Sequence, residues 1–310
     1  MQDQVLALSE QQQQRYFGHL IEDDSPSSIQ KYTEQLLRTR YQVVDEQLKQ
    51  NSWIDEDQFL EHYYTAFTQQ HYLKHSTITL DEAVIRLFNR HLFIEKLPVA
   101  SLAFLLIDEI QDYTPAQCTL LLTLFPRAAF TMVGDENQAI FNSAIDFREI
   151  QEIFEANNQS VTRYDLRTSY RSSGEITKLF AKLANHTTMS IMPVRPAGEP
   201  PRFIRFENEL EWLATITPFI KKGRQYTILT KSHKEAAFLE EYLKGQTNQL
   251  PFPVYSIDIA KGREFDHVIL YDVSNEQFYT TQDKRILYTL LSRSMESMLV
   301  TYKKELSAFF

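Results

Sequence analysis

An α/β fold with parallel sheets, preceded by a helical region, is what this chain of 310 residues predicts. Three observations carry that expectation. From about residue 100, short β-rich runs alternate with helical ones. Two of those runs end abruptly in acids: Phe104-Leu105-Leu106-Ile107 meets Asp108-Glu109, and the apolar run at 129–133 meets Gly134-Asp135. Before residue 95, apolar positions recur at helical spacing instead. Acids at the carboxyl edge of a parallel sheet stand where α/β proteins bind ligands.

The elements follow in chain order. Leu6, Tyr16, Phe17 and Leu20 form one helical set, and Phe59, Leu60, Tyr63, Tyr64 and Phe67 another. Ser25-Pro26-Ser27-Ser28 is a turn that starts a helix at Ile29. Asp81-Glu82 suits the first turn of a helix continuing through Val84, Leu87 and Phe88. His62, His71 and His75 show no metal-ligand spacing. Beyond them, strands are expected at 103–107, 129–133, 202–206, 226–230, 254–257, 267–271 and 298–302. Helices are expected at 117–124, 174–184, 234–243 and 284–291. Pro193, Pro196, Pro200 and Pro201 stiffen the approach to the strand at 202, and the sequence contains no internal repeat.

Composition bounds the function. Hydrophobic residues make up 43% and aromatics 13%, enough for real cores in about two domains. A net charge of −9 weighs against a general nucleic-acid binder while leaving room for a local basic groove. It also suits a protein that meets a basic protein surface. Cys118 is the only cysteine, so no internal disulfide is possible, and its apolar setting suits a buried thiol. No apolar run approaches the ~20 residues of a membrane span. Met1-Gln2-Asp3-Gln4 lacks the basic start of a secretory signal. The expectation is a cytoplasmic protein with no membrane partner.

Four further stretches carry chemistry beside the first. Asp108 can hold Mg²⁺, and Glu109 can orient or deprotonate a water. Gln138, closing Gly134-Asp135-Glu136-Asn137-Gln138, can touch both that water and a γ-phosphate. Arg171, in Ser169-Tyr170-Arg171-Ser172, can supply charge to a phosphate. Ala260-Lys261-Gly262-Arg263-Glu264-Phe265-Asp266 is a Lys-Gly turn feeding a strand, suited to backbone contact with phosphate or nucleic acid. Arg293 follows a helix on which Tyr288 and Leu291 share a face. Each piece has a plain alternative: buried strands often end in Asp, and Lys-Gly is a common turn. A Gly-x-x-x-x-Gly-Lys-Ser/Thr phosphate loop does not occur in these residues.

Taken in order, the five boxes resemble the superfamily 1 helicases of the UvrD/Rep type, from about residue 100 to 302. The box at 108–112 is similar to the family's Walker B box, and 134–138 to its sensor box. Tyr170-Arg171-Ser172 resembles the Asn-Tyr-Arg-Ser box, with Ser169 in place of Asn. The Lys261-Gly262 turn resembles the Lys-Gly-Leu-Glu-Phe box, and 288–293 the Tyr-Val-Ala-Leu-Thr-Arg box. The resemblance implies RecA-like P-loop NTPase motor lobes that use ATP and Mg²⁺. It implies the metal at Asp108, the general base at Glu109, γ-phosphate sensing at Gln138 and arginine fingers at Arg171 and Arg293. Gly134, Asp135, Lys261, Gly262 and Glu264 then line the nucleotide site, Glu264 near the ribose. Phe141 would stack a nucleic-acid base.

The departures narrow the type. Asn142-Ser143-Ala144 offers no Trp after the sensor Gln. No inserted domain fits between the helix at 234–243 and the strand at 254. Asp258 stands where unwinding members commonly have His. All three weaken strand separation and spare ATP chemistry. Within the superfamily the run at 108–117, followed by Leu124-Phe125-Pro126-Arg127, resembles the HelD type, ATPases that bind and recycle RNA polymerase. That resemblance implies a C-terminal portion of a longer motor, with RNA polymerase and DNA as partners. Residues 1–98 would be the end of a helical insertion, 99–158 a partial first lobe and 159–310 a second lobe. The partial lobe is expected to expose strand edges, and the chain alone to hydrolyse little or no ATP. A fragment of a UvrD/Rep-type 3′–5′ DNA helicase for repair or replication is the alternative.

Overall fold

The computed structural model describes residues 2–50, 53–69, 77–97, 101–140, 145–184, 191–221, 223–246 and 252–310. The chain divides into two units, 1–98 and 99–310.

The first unit is helical among its described residues, and its caps explain where the helices begin. After α1 (Gln2–Leu6), Ser9 and Gln12 form a capping box that opens α2 (Glu10–Phe17). The third helix, α3 (Pro26–Arg40), starts three residues before Ile29. The Ser25 hydroxyl caps it, and Pro26 takes the first-turn position where a missing N–H costs nothing. Then come α4 (Gln42–Lys49), α5 (Glu56–Thr68), capped by Asp55, and α6 (Leu80–Asn89), capped by Thr79. The last runs into a π turn at Arg90–Ile94. Val5, Phe17 and Leu36 form a small core. Arg86 gathers Glu82, Asp57 and Glu56 around its guanidinium, at 2.9, 2.5 and 3.4 Å. His71 and His75 lie outside the described residues.

The second unit opens with β1 (Phe104–Ile107), α7 (Pro115–Leu124), β2 (Ala129–Met132) and α8 (Phe147–Ala156). Strands β1 and β2 pair in parallel, Ile107 opposite Met132. A Thr114–Gln117 capping box with Pro115 at the first turn starts α7 two residues earlier than its apolar pattern suggests. Sequence pattern assigns nothing to α8. It covers one face of the pair through Ile150 and Phe154, together with Ile107, Ile110, Cys118 and Leu122.

The remaining elements build a five-stranded parallel sheet. In chain order they are β3 (Thr168–Ser169), α9 (Gly174–Ala181), β4 (Met192–Pro193) and β5 (Arg202–Phe206). There follow α10 (Glu209–Lys221), β6 (Tyr226–Thr230), α11 (His233–Gln246), β7 (Val254–Ser256) and α12 (Ile257–Ala260). Last come β8 (Phe265–Leu270), α13 (Thr281–Leu291) and β9 (Ser294–Lys303). Strand order is β5-β9-β8-β6-β7, all parallel, while β3 and β4 form a separate short pair. Strand pleating sends alternate residues to opposite faces. Leu229, Val268, Leu270, Met298 and Val300 join α9 and α13 on one face. Ile228, Ile269 and Leu299 join Trp212 of α10 and Leu239 of α11 on the other. Two buried faces explain the near-continuous apolar runs of β6, β8 and β9. The pattern of α10 is masked by Pro218 within the helix. A mixed α/β fold with parallel sheets and a helical N-terminal region is thus observed.

Candidate functional site

The site grows from the carboxyl ends of β1 and β2. Ile107 and Ile110 are buried, so the two residues between them are forced into a tight turn. Glu109 takes it up with φ at 52°, a left-handed conformation that non-glycine residues rarely adopt. The turn is locked by Ile110 N–H to the Val133 carbonyl at 3.0 Å and by Val133 N–H to the Ile107 carbonyl at 2.9 Å. Asp108 is left exposed, one carboxylate oxygen accepting Glu109 N–H at 2.8 Å.

Gln111 is the buried hub of this loop, although sequence pattern gives it no role. It is fully buried. Its Nε2 donates to Glu109 Oε2 at 2.5 Å and its Oε1 accepts Asp135 N–H at 3.0 Å. Gly134 makes room for it: a Cβ there would lie 2.3 Å from the Gln111 Oε1. One amide therefore fixes both the acid turn and the sensor loop.

Asp135 gathers the 134–138 loop and reaches across to α13. Its Oδ1 accepts Asn137 N–H at 3.0 Å, and its Oδ2 accepts Gln138 Nε2 at 2.9 Å and the Tyr288 hydroxyl at 3.0 Å. Arg293 Nη2 then donates to Gln138 Oε1 at 2.5 Å. Lys261 Nζ donates to Asp112 Oδ1 at 2.5 Å and to the Gln138 carbonyl at 3.1 Å. Gln282 also donates to the Ile140 carbonyl. Gly262 supplies the turn beneath Lys261 at φ +78°, which favours glycine. Arg171 Nε meets Glu264 Oε1 at 2.6 Å, both side chains roughly two-fifths exposed. Phe141 and residues 142–144 lie outside the described residues.

The electrostatics follow the burial. Arg293 is 2% exposed. Burial lowers its pKa, and the neighbouring Arg171 lowers it further, against Glu109, Glu264 and Asp135, which oppose the shift. Tyr288 moves the other way, raised by burial and then by the Asp135 carboxylate. Asp108, Glu109, Asp135, Gln138, Arg171, Lys261, Glu264 and Arg293 thus fall in one network built from five separated stretches. Among the described residues, no group of three or more His, Cys, Asp or Glu could cage a metal. Mg²⁺ does not need one: it binds through one or two carboxylates plus phosphates and keeps several waters. The exposed Asp108 carboxylate fits that mode.

Acids at the carboxyl edge of one parallel pair meet a buried guanidinium beside a second parallel sheet, and sequence comparison gives the family. The profile of the viral superfamily 1 RNA helicase core domain matches residues 82–301, well over half the chain. That of the UvrD/REP helicase N-terminal domain matches residues 2–151. The chain belongs to the superfamily 1 helicases. DNA helicase IV of Escherichia coli (strain K12) is 22% identical over 231 residues, 65% of this chain and 34% of the relative. The chain thus spans about a third of the length of that curated relative. Among solved structures, the C-terminal domain of a possible DNA helicase from Lactobacillus plantarum WCFS1 is 25% identical, with a TM-score of 0.39 over 46% of this chain and 91% of that one. The PRRSV helicase is 16% identical, with a TM-score of 0.38 over 64% of this chain and 34% of that one. No helix among the described residues is long and apolar enough to cross a membrane.

Proposed function

We propose that this chain carries the catalytic acids, sensor and arginines of an ATP-dependent superfamily 1 motor that acts on RNA polymerase in the HelD manner. The observation that supports it most is the Glu109–Gln111–Asp135–Gln138–Arg293 chain of hydrogen bonds. It joins a general-base position to a buried guanidinium through groups that change partners when a phosphate enters. Residues 99–158 act as a partial first lobe and 159–310 as the second. Residues 1–98 serve as the end of an insertion that meets the polymerase.

In this reading each residue has one task. Asp108 holds Mg²⁺, which supplies charge neutralisation of the phosphates when bound. Glu109 accepts the proton of the attacking water. Gln138 orients that water and exchanges Arg293 for the γ-phosphate. Arg171 and Arg293 stabilise developing negative charge, a contribution of the order of 10³–10⁵ in rate for arginine fingers. Gly134, Asp135, Lys261, Gly262 and Glu264 shape the nucleotide site. The 310 residues contain no phosphate-loop pattern, so turnover by them alone is expected to be slight.

A second reading, a UvrD/Rep-type DNA helicase for repair or replication, is favoured by the similarity to DNA helicase IV. One experiment separates the two. ATP turnover by the intact protein that contains this chain is measured with RNA polymerase core and with a tailed DNA duplex. Stable polymerase binding with ATP-dependent release is expected. ATP-driven unwinding without polymerase binding transfers the assignment to the helicase. Turnover that survives Asp108→Ala with Glu109→Gln removes both.

A further inference from the structure

Arg195 lies outside all five boxes, between β4 and β5, yet it touches one of them and a residue just beyond another. Its Nη1 donates to the Arg171 carbonyl at 2.6 Å and its Nη2 to Glu296 Oε1 at 2.5 Å. Glu296 stands three residues after Arg293, at the start of β9. Neutral bonds run beside this bridge. The Ser172 hydroxyl donates to the Ser294 carbonyl at 2.6 Å, and Ser173 N–H to the Met295 carbonyl at 2.8 Å. On the other side, Gly174 N–H donates to the Pro196 carbonyl at 2.7 Å. Packing there is tight: a Cβ at Gly198, whose φ is +75°, would lie 2.6 Å from Ser173 Cβ. The Arg171 segment is gripped between residues 195–198 and 294–296.

Such a grip has electrostatic work to perform. Arg171 lies close enough to Arg293 to disfavour its charge, after burial the next largest effect. Glu264, paired with Arg171 at 2.6 Å, offsets part of that repulsion, and a tie between the segments bearing the two guanidinium groups holds their spacing against the rest. Arginine is suited to the tie, because its fork serves two acceptors at once and a lysine ammonium lacks that fixed geometry.

We propose that Arg195, bridging the Arg171 carbonyl and Glu296, is a positioning residue that sets the spacing of Arg171 and Arg293 for a polyphosphate. This rests on the reading of those two arginines as phosphate-facing. The test is ATP turnover by the intact protein carrying Arg195→Ala, Arg195→Lys, Arg171→Ala or the Arg195→Ala/Arg171→Ala pair, with thermal unfolding of each. Arg195→Ala lowers kcat about tenfold while KM for ATP changes less than about threefold. Arg195→Lys does not restore it. The Arg195–Glu296 pair is 33% and 46% exposed, so Tm moves by only ~2 °C. In the Arg171→Ala background, Arg195→Ala adds less than about twofold, because both act through one group. A full multiplicative loss in that background, or a loss that tracks the folded fraction, overturns the proposal. Turnover sensitive to Arg171→Ala but indifferent to Arg195→Ala sinks the positioning role alone. Turnover indifferent to Arg171→Ala overturns this inference and the phosphate-facing reading of Arg171 together.

Discussion

In the five-stranded sheet, alternate residues of β6, β8 and β9 enter separate apolar clusters on the two faces. In the β1–β2 pair, β1 turns Leu105 and Ile107 toward α7 and α8 but leaves Phe104 and Leu106 72% and 77% exposed on the opposite face. The same strand–helix grammar therefore produces a sheet packed on both sides and another packed on one. The contrast shows where the order around each sheet comes from. Apolar layers define the five-stranded sheet. The acid turn after β1 and the 134–138 loop after β2 are fixed by polar side chains: Gln111 beside the pair, and Tyr288, Lys261 and Arg293 from the elements around the larger sheet.

The strongest way to break the comparison is to empty the two-sided core. Trp212 is fully buried, meets Tyr271 edge-on at 5.2 Å and donates its indole N–H to the Thr301 hydroxyl at 3.1 Å. Trp212→Ala should cost ~3–5 kcal/mol, since it leaves a large cavity and removes a hydrogen-bond donor from a buried hydroxyl. Urea unfolding of the chain measures it. A cost below about 1 kcal/mol would mean that α10 is not packed as described.

A smaller effect tests a polar contact beside the five-stranded sheet. Asp283 is buried and accepts Lys231 Nζ at 2.6 Å, Thr280 N–H at 2.9 Å and Tyr279 N–H at 3.1 Å. Burial alone would raise its pKa; the Lys231 ammonium and the two N–H groups more than offset that, and the carboxyl sits below its ordinary value. A depressed folded pKa contributes stability above the unfolded value, lost as pH falls through the folded one. Lys231→Met should therefore cost ~2–3 kcal/mol at pH 7, by stranding a buried carboxylate. The gap from the wild type should close below about pH 4. A gap constant with pH would assign the cost to lost packing of Lys231 over Phe278 instead.

Much of this was legible in the chain, for reasons that differ by element. The strand Tyr226–Thr230 coincides with its apolar run, because burial on both faces writes itself as continuous hydrophobicity. Beta8 begins two residues before its apolar core, because Phe265 already pairs with Ser294 of β9. The acids after β1 are visible because apolar texture stops so sharply there. The roles of Gln111 and Arg195 are not visible. Gln111 and Asp135 are 24 residues apart, and Arg195 and Glu296 are 101 apart. A polar side chain bonded across such distances leaves no period in the sequence. The hydrogen bond from Asp135 N–H to the Gln111 amide oxygen exists only once Gly134 has let the 134–138 loop come against it.

A finer probe of the polar order is Tyr288→Phe. It deletes the hydroxyl that reaches Asp135 and leaves the ring in its edge-on contact with Phe180 at 5.5 Å. The expected cost is ~1 kcal/mol, the net worth of one hydrogen bond to a charged acceptor that other donors still serve. Hydrogen exchange should show the change in the sensor loop around Asp135 rather than in β8 or β9. Protection lost equally in both places would mean that α13 is held by the first lobe and does not merely hold it.

The smallest effect tests the uncovered face. Leu106 is 77% exposed on β1, between Leu105 and Ile107, which pack against the core. A lysine there should change stability by no more than ~0.5 kcal/mol, because little apolar area is withdrawn from any contact. Self-association should fall instead. An exposed apolar strand invites pairing with another chain, and a strand lysine is a common natural defence against it. Sedimentation velocity across a concentration series, with denaturation of both proteins at low concentration, reads the two quantities separately. If Leu106→Lys costs more than about 2 kcal/mol at low concentration, the face is covered in solution, and the two sheets differ less than their packing suggests. If stability holds and association falls, the one-sided sheet is a property of the folded chain, and its loops owe their order to Gln111 and to the hydrogen bonds that reach them from Tyr288, Lys261 and Arg293.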